Sequence, residues 1–591
     1  MRVTSAPSAA DAAPSAALPK GPKIRYPGLA AALARDAAER LKDAARAKFY
    51  RTAVARLGLA GPLPAHLAVT PDALSSATLA GAQDILRGVF SLPSGRLTVR
   101  GQSPFDADAP EEVRIDLHRF QWLSHLEKGG GRTAKGVARA LTEDWLDRFE
   151  RWHPLIWRAD VLGPRVVAWA AHFRFLTFDN DLLFRSRLMK AMAEETRHLA
   201  RSGAETPEGL PRLAAAAALV VMSAVLPDVV KRPERAYDAL RRAIAGAFTA
   251  DVGVVTRNPA DQAEAVAALA QIARSLADAR LPAPPGLEAA LALAEARLAM
   301  LHVGDGGLAC FQGSDEGDRT LLAELSGGTR AIGPAFAPNM GFARLTGGES
   351  VLIFDCGSPP PGPHASEAHA APLAFEFAHG EQRMIVNGGV ARRRGEEWIA
   401  AARRTADHAT LQIGEADAGA LLTGNPAKRL GAQLYGGHVT GDAAFSEEGC
   451  WAEGRHDFWA PRFGAIHSRR LFLDPDGEDL RGEDILTRKA PRGALEAVVR
   501  FPLHPDCRAT LAQGADSVIV AQPGGATWRF RMATEPSGAV ISLEDAVYMG
   551  GEAVRRTQAI TVRATVVGPS WTLRWALKTE TPGHRPRQRL V

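Results

Sequence analysis

The feature that most constrains this chain is a change of hydrophobic period near Gly304. Before it, from about Pro27 to Val303, apolar residues recur three and four apart among Ala, Leu, Arg and Glu, the pattern of amphipathic helices. The spacing predicts helices over 29–57, 136–152, 163–178, 182–201, 210–226, 233–248, 259–281 and 285–301, several opening just after Pro or Asp. Short connections carrying Gly or Pro predict antiparallel helix pairs, and no fixed-period repeat points to a solenoid. After it, the turn-rich stretch GDGGLACFQGSDEGD breaks the helical pattern. Short alternating segments follow, with hairpin signals at Gly347–Gly348 and His379–Gly380 and further strands near 438–440, 469–473, 497–501, 517–521, 527–532, 559–567 and 570–576. Evenly spaced strands of this kind predict an antiparallel β-sandwich. The expected class is α+β multidomain, helices first and strands second. Pro502 inside an apparent strand predicts an edge or a bulge there.

At 591 residues, the chain exceeds what one ordinary core holds, which also calls for two or more domains. A net charge of +5 is mild for this length and suits an anionic ligand. No block of Lys and Arg interleaved with aromatics is present, so nucleic acid is not an expected partner. Cys310, Cys356, Cys450 and Cys507 are far apart, which signals neither a zinc knuckle nor a disulfide framework. Residues 1–26, rich in Ala, Ser and Pro, lack a continuous apolar stretch and read as a disordered tail rather than a signal peptide. The longest apolar run, 213–226, falls short of the roughly 18 residues of a membrane span and reads as a buried helix; no transmembrane segment is expected.

Chemistry-bearing residues concentrate over 364–408. HASEAHAAPLAFEF places His364, Glu367 and His369 at the entry to a strand, and RRTADHATLQI brings His408 to the start of another behind Arg403 and Arg404. For each histidine the plain alternative is a ring satisfied by backbone at a strand end. Arg257 and Asn258 precede Pro259, where Asn readily caps a helix. His118 and His125 lie seven apart, hence on one helix face, and Trp122 stands between them at core-like spacing. The glycines of GDGGLACF lack the Lys-Ser/Thr partner of a phosphate loop.

The ordered set LHRFQWLSHL (117–126), TRNP (256–259), GDGGLACFQG (304–313), HAAPLAFEF (369–377), RTADHATL (404–411), RGEDIL (481–486) and RFPLHP (500–505) resembles the heparinase II/III-like polysaccharide lyases. After the tail over 1–26, the resemblance implies an incomplete α/α toroid over 27–303, a linker over 304–335 and an antiparallel β-sandwich over 336–591. It implies β-elimination on an acidic, uronate-containing polysaccharide. That chemistry needs a base for the proton beside the carboxylate, cationic or amide groups for the developing charge, and a groove for the chain.

The resemblance also assigns residues, with departures. His369 and His408 match the family's later β-domain histidines, while Glu367 stands where its first, catalytic histidine would be. Ala371, Asn387 and Ala409 replace the motif's Asp, Asp and Asn. A family segment of the form DGGHxSRNP is here DVGVVTRNP, with Val254 in the histidine position and Arg257 and Asn258 kept. The implied catalytic set is His369, His408 and Glu367. The implied substrate-binding set is Arg257, Asn258, Arg404, His118 and Trp122. No cofactor is required; a possible zinc would use His369, His408 and Asn387, a poorer set than one with a carboxylate. Tyrosine, common as acid or base in such lyases, is scarce, Tyr237 being the only one between Gly61 and Val303. The departures keep a second expectation open: a catalytically degenerate glycan-binding or envelope-associated protein of the same fold. A third, an α/α-barrel hydrolase, needs two opposed carboxylates that the helical half does not offer. Location stays open between the cytoplasm, from the missing signal peptide, and the periplasm or envelope, from the resemblance.

Overall fold

In the Leu210–Val225 helix, LPRLAAAAALVVMSAV, apolar residues occupy every face, so the helix can only be stable surrounded by others. It packs against the helices Ala159–Ala171, Pro233–Ala247 and Pro259–Asp278. Gly163 permits a close approach to the first of these, because a Cβ there would come within 2.9 Å of the Ala218 methyl. The architecture is seen in a computed structural model that describes residues 26–580 except 73, 75, 327–332, 492 and 515. The expected tail, Tyr26 apart, and part of the expected linker lie outside the described residues.

The helix expected over 29–57 is two helices, Leu29–Tyr50 and Ala53–Leu57. Thr52 leaves the helical conformation between them and caps the second, its hydroxyl accepting from Ala55 N–H at 3.2 Å. A small hairpin, Val89–Leu92 with Gly95–Thr98, interrupts the helical half and had no counterpart in the pattern. No described helix is long and apolar enough to cross a membrane.

From Ala335 onward the chain forms antiparallel sheets of five, eight and four strands, besides a two-stranded pair. The five-stranded sheet runs in chain order from Ala335–Ala337 to Gln382–Ile385, with turns at Gly347–Gly348 and His379–Gly380. Both of its faces are covered. Phe342, Ile353, Ala374 and Ala378 join the core of the helical half, whereas Ala343, Leu345, Leu352, Phe354, Phe375 and Phe377 join a second core shared with the other two sheets. Alternate residues of one sheet thus serve two cores. Pro502 corrects an expectation: its strand, Leu495–Pro502, is interior, between Arg555–Val566 and Leu411–Ile413. The proline is tolerated because it is the last residue, beyond the three positions, 497–499, that pair with Leu411–Ile413.

The second core contains a buried polar network. His456 and His467 meet at 3.1 Å, and the carboxylate of Asp484 accepts from His467 Nε2 at 2.8 Å, Arg469 Nε at 2.7 Å and Trp575 Nε1 at 3.0 Å. Burial is the largest influence on both histidines and holds their pKa values below the usual range, so the rings are neutral.

Candidate functional site

Arg257 stands on the line between the two halves, in a tight turn with φ at +59°. Its five N–H donors are all engaged. Nε donates to Met340 O at 2.8 Å, Nη1 to Gly357 O and Ser358 O at 3.0 and 2.9 Å, and Nη2 to Gly341 O at 2.9 Å and to the Asp355 carboxylate. Gln312 occupies the other oxygen of Asp355 at 2.6 Å. A guanidinium has five donors and no more. Arg257, expected to hold a substrate carboxylate, is buried, with all its donors spent on joining helices to sheet.

One residue further, Asn258 caps the Pro259–Asp278 helix, Oδ1 accepting from Ala260 N–H at 2.9 Å. Its amide nitrogen faces outward to Glu367 Oε2 at 3.4 Å. Glu367 is gripped by Arg392 through both oxygens, at 2.7 and 2.6 Å, and Arg392 also reaches Gly313 O at 2.8 Å. Burial alone would raise the Glu367 pKa, but the Arg392 hydrogen bonds and charge outweigh it and hold the carboxyl below its ordinary value. Glu367 is accordingly an ionised, paired carboxylate rather than a base with a tuned proton. The neighbour whose carboxyl is pushed the other way is Asp261. Burial, then the charge of Glu367, push its pKa up to about 7, against a 2.6 Å hydrogen bond from Thr256. The motif reading named neither Asp261 nor Arg392. Asp261 follows TRNP by two residues, and Arg392 belongs to the RRR run at 392–394, and those were the available signals.

His369 and His408 do come together, their ring centroids 4.8 Å apart and tilted by 49°. His408 Nε2 lies 3.0 Å from Ala402 O, which makes it the protonated nitrogen. Its Nδ1 and both ring nitrogens of His369 are buried without a hydrogen-bond partner. Burial holds both rings neutral, His408 with a pKa down at about 4. Asn387, expected as the third donor of a zinc, has its amide oxygen on Ala409 N–H at 3.1 Å and its nitrogen facing Glu376 at 3.4 Å. Among the described residues, no group of three His, Cys, Asp or Glu side chains is placed to hold a metal. Two imidazoles and an occupied amide do not make the donor set a zinc site requires.

The remaining expectations are redistributed by burial. His118 is a core residue, stacked on Phe105 and accepting from Trp145 Nε1 at 2.9 Å; burial takes its pKa down to about 2. Trp122 is buried too, its indole N–H on Leu117 O at 2.9 Å. Both serve the aromatic core around Arg165, which pairs with Glu195 at 2.9 Å. His125 Nδ1 accepts from Thr78 N–H at 3.0 Å. Arg404 is turned toward Asp417, 3.5 Å away, and it is Arg403 that supports the Glu367 loop, donating to Ala368 O at 2.9 Å and Ala365 O at 3.2 Å. Val254, in the family's histidine position, is fully buried core.

Residues 329–580 match the family described as Heparinase II/III-like, C-terminal. FtsZ-localized protein C of Caulobacter vibrioides (strain NA1000 / CB15N) is 33% identical over 496 residues, which cover 80% of this chain and 84% of that protein. Among solved structures, heparinase III superposes with a TM-score of 0.67 at 14% identity, over 95% of this chain and 93% of that one. A mutant of the heparan sulfate lyase HepC from Pedobacter heparinus superposes with a TM-score of 0.61 at 14% identity, over 95% and 92% of the two chains. At such identities these superpositions speak to the fold.

Proposed function

The chain belongs to the heparinase II/III-like family, and from that premise we propose that it keeps the lyase fold while its elimination chemistry has been given up, and that it works as a binding protein associated with FtsZ. The observation that carries this reading is the engagement of Arg257: the one surviving cation of the DVGVVTRNP segment has no donor left for a uronate carboxylate. Elimination also needs a base aimed at the reacting carbon. Glu367 is neutralised by Arg392, and the His369–His408 pair is closed off from solvent. The partner follows from the name of a relative that shares one residue in three over four-fifths of this chain. The test has two arms on the full chain. Incubation with heparin, heparan sulfate and alginate should yield no unsaturated ends absorbing in the near ultraviolet. Sedimentation with FtsZ polymers should carry the protein into the pellet, and loss of that co-sedimentation would remove the partner.

A second reading is favoured by the placement of Asp261, buried near Glu367, where burial and that neighbouring charge raise its carboxyl pKa. In that reading the cleft still cleaves an acidic polysaccharide by β-elimination, with Asp261 as the proton-transfer group. Formation of an unsaturated product that Asp261→Asn abolishes would establish it and overturn the first.

A further inference from the structure

The solvent face of the eight-stranded sheet carries a groove that shares no residue with the cluster around Asn258, Glu367 and Arg392. Its first four strands are Val439–Ser446 at the edge, Gly449–His456, Ala465–Leu473 and Asp479–Arg488. Register sets Asp442, Glu453, Arg470 and Glu483 side by side in one row across these strands. A groove of about 460 Å³ lies over that row, and a smaller hollow of about 300 Å³ adjoins it beside Trp451. We propose that this groove is a binding site for a neutral oligosaccharide.

Three observations select that chemistry. First, the charges cancel in place. Arg470 holds Glu453 at 2.9 Å, Arg574 holds Glu483 at 2.8 Å and Arg469 is paired with the buried Asp484 at 2.7 Å, leaving Asp442 and Arg455, one of each sign. Such a floor has no net charge with which to draw in a polyanion, but it offers planar donors and acceptors already held in position. Hydroxyl groups, which donate and accept at once, match it. Second, Trp451 is 44% exposed although it is the largest side chain of the face. One side of its ring leans on Phe472, 4.5 Å between centroids. Across the ladder it meets Ala444, too small to cover it. An uncovered indole beside fixed polar groups is a platform for the C–H face of a sugar ring. Third, Trp451, Glu453 and Arg455 point outward from one strand at spacings of roughly 7 Å, so a chain of rings laid along the strand meets each in turn. An extended peptide fits less well. The second and third strands are hydrogen-bonded on both sides, so a peptide backbone over them finds no ladder to join.

The inference stands whether or not the cleft catalyses elimination. It is tested by calorimetric titration of the full chain with cellohexaose and chitohexaose, alongside a heparin hexasaccharide and a polyglutamate peptide. Saturable binding of a neutral hexasaccharide is expected. It should weaken by about tenfold in Trp451→Ala, be largely kept in Trp451→Phe, and be unchanged in Glu367→Gln. Arg455→Ala, which alters an exposed side chain, provides a second variant expected to weaken binding should Trp451→Ala fail to fold. Absence of saturation with both neutral ligands overturns the proposal. So does tighter binding of the heparin fragment or the peptide, or neutral-sugar affinity indifferent to both groove variants.

Discussion

At the scale of single residues, a side chain's availability matters more than its identity. Arg257, Asn258, Glu367, His369 and His408 are all residue types suited to elimination, yet each is engaged or enclosed. The histidine pair makes this measurable. In the unfolded chain a histidine titrates near 6.5, whereas buried His408 does so at about 4. Between those values the unfolded state binds the extra proton, so stability is fully present above about pH 6.5 and is lost as pH falls toward 4. Replacing His408 with Gln should flatten this dependence by roughly 3 kcal/mol over that interval, a magnitude set by the displacement of the pKa. Urea denaturation of both proteins at pH 7 and pH 4.5 checks it; equal slopes would mean that His408 titrates normally. His369 and His408, which the sequence motif names together, have ring centroids 4.8 Å apart. The motif could not show that Ala402 O and the surrounding core close them in, because those contacts depend on packing.

At the scale of elements, the Pro259–Asp278 helix links the cap to the cleft. Asn258 satisfies an orphan N–H of the first turn and points its amide at Glu367. Asn258→Ala should cost about 1 kcal/mol by removing the cap, and Asn258→Ser should recover most of it, as read from thermal unfolding. Recovery by Ser of stability but not of any Glu367-dependent property would separate the two roles. The helices were legible because their apolar period is local: the expected 210–226, 233–248 and 285–301 segments end within two residues of the observed ones at every boundary. The hairpins at Gly347–Gly348 and His379–Gly380 were legible for the same reason. Illegible were the pairings that close the sheets, such as Asp479–Arg488 against Ser570–Thr579, some ninety residues on, since nothing in a strand's own pattern names its distant neighbour. The pairing of Glu367 with Arg392 across 25 residues was hidden likewise.

At the scale of the whole molecule, side chains tie the helices to the sheets. Arg257 reaches Asp355, Arg344 reaches Met300 O at 3.2 Å, and Asp251 accepts from Asn339 N–H at 2.9 Å. Helical circular dichroism and tryptophan fluorescence should therefore report a single coincident unfolding transition. In Arg257→Lys, three donors replace five and buried acceptors are orphaned. That variant should lose about 3–5 kcal/mol, and its two probes should part. Coincident, unshifted curves would show that the joint is not held there. The five-stranded sheet has a further consequence. Its odd and even residues belong to different cores, so deleting one residue from Phe342–Gly347 or Ser350–Asp355 would exchange the two sets and misfill both interiors at once. These strands should be the stretch least forgiving of length changes, and insertions that survive in natural variants should gather outside them.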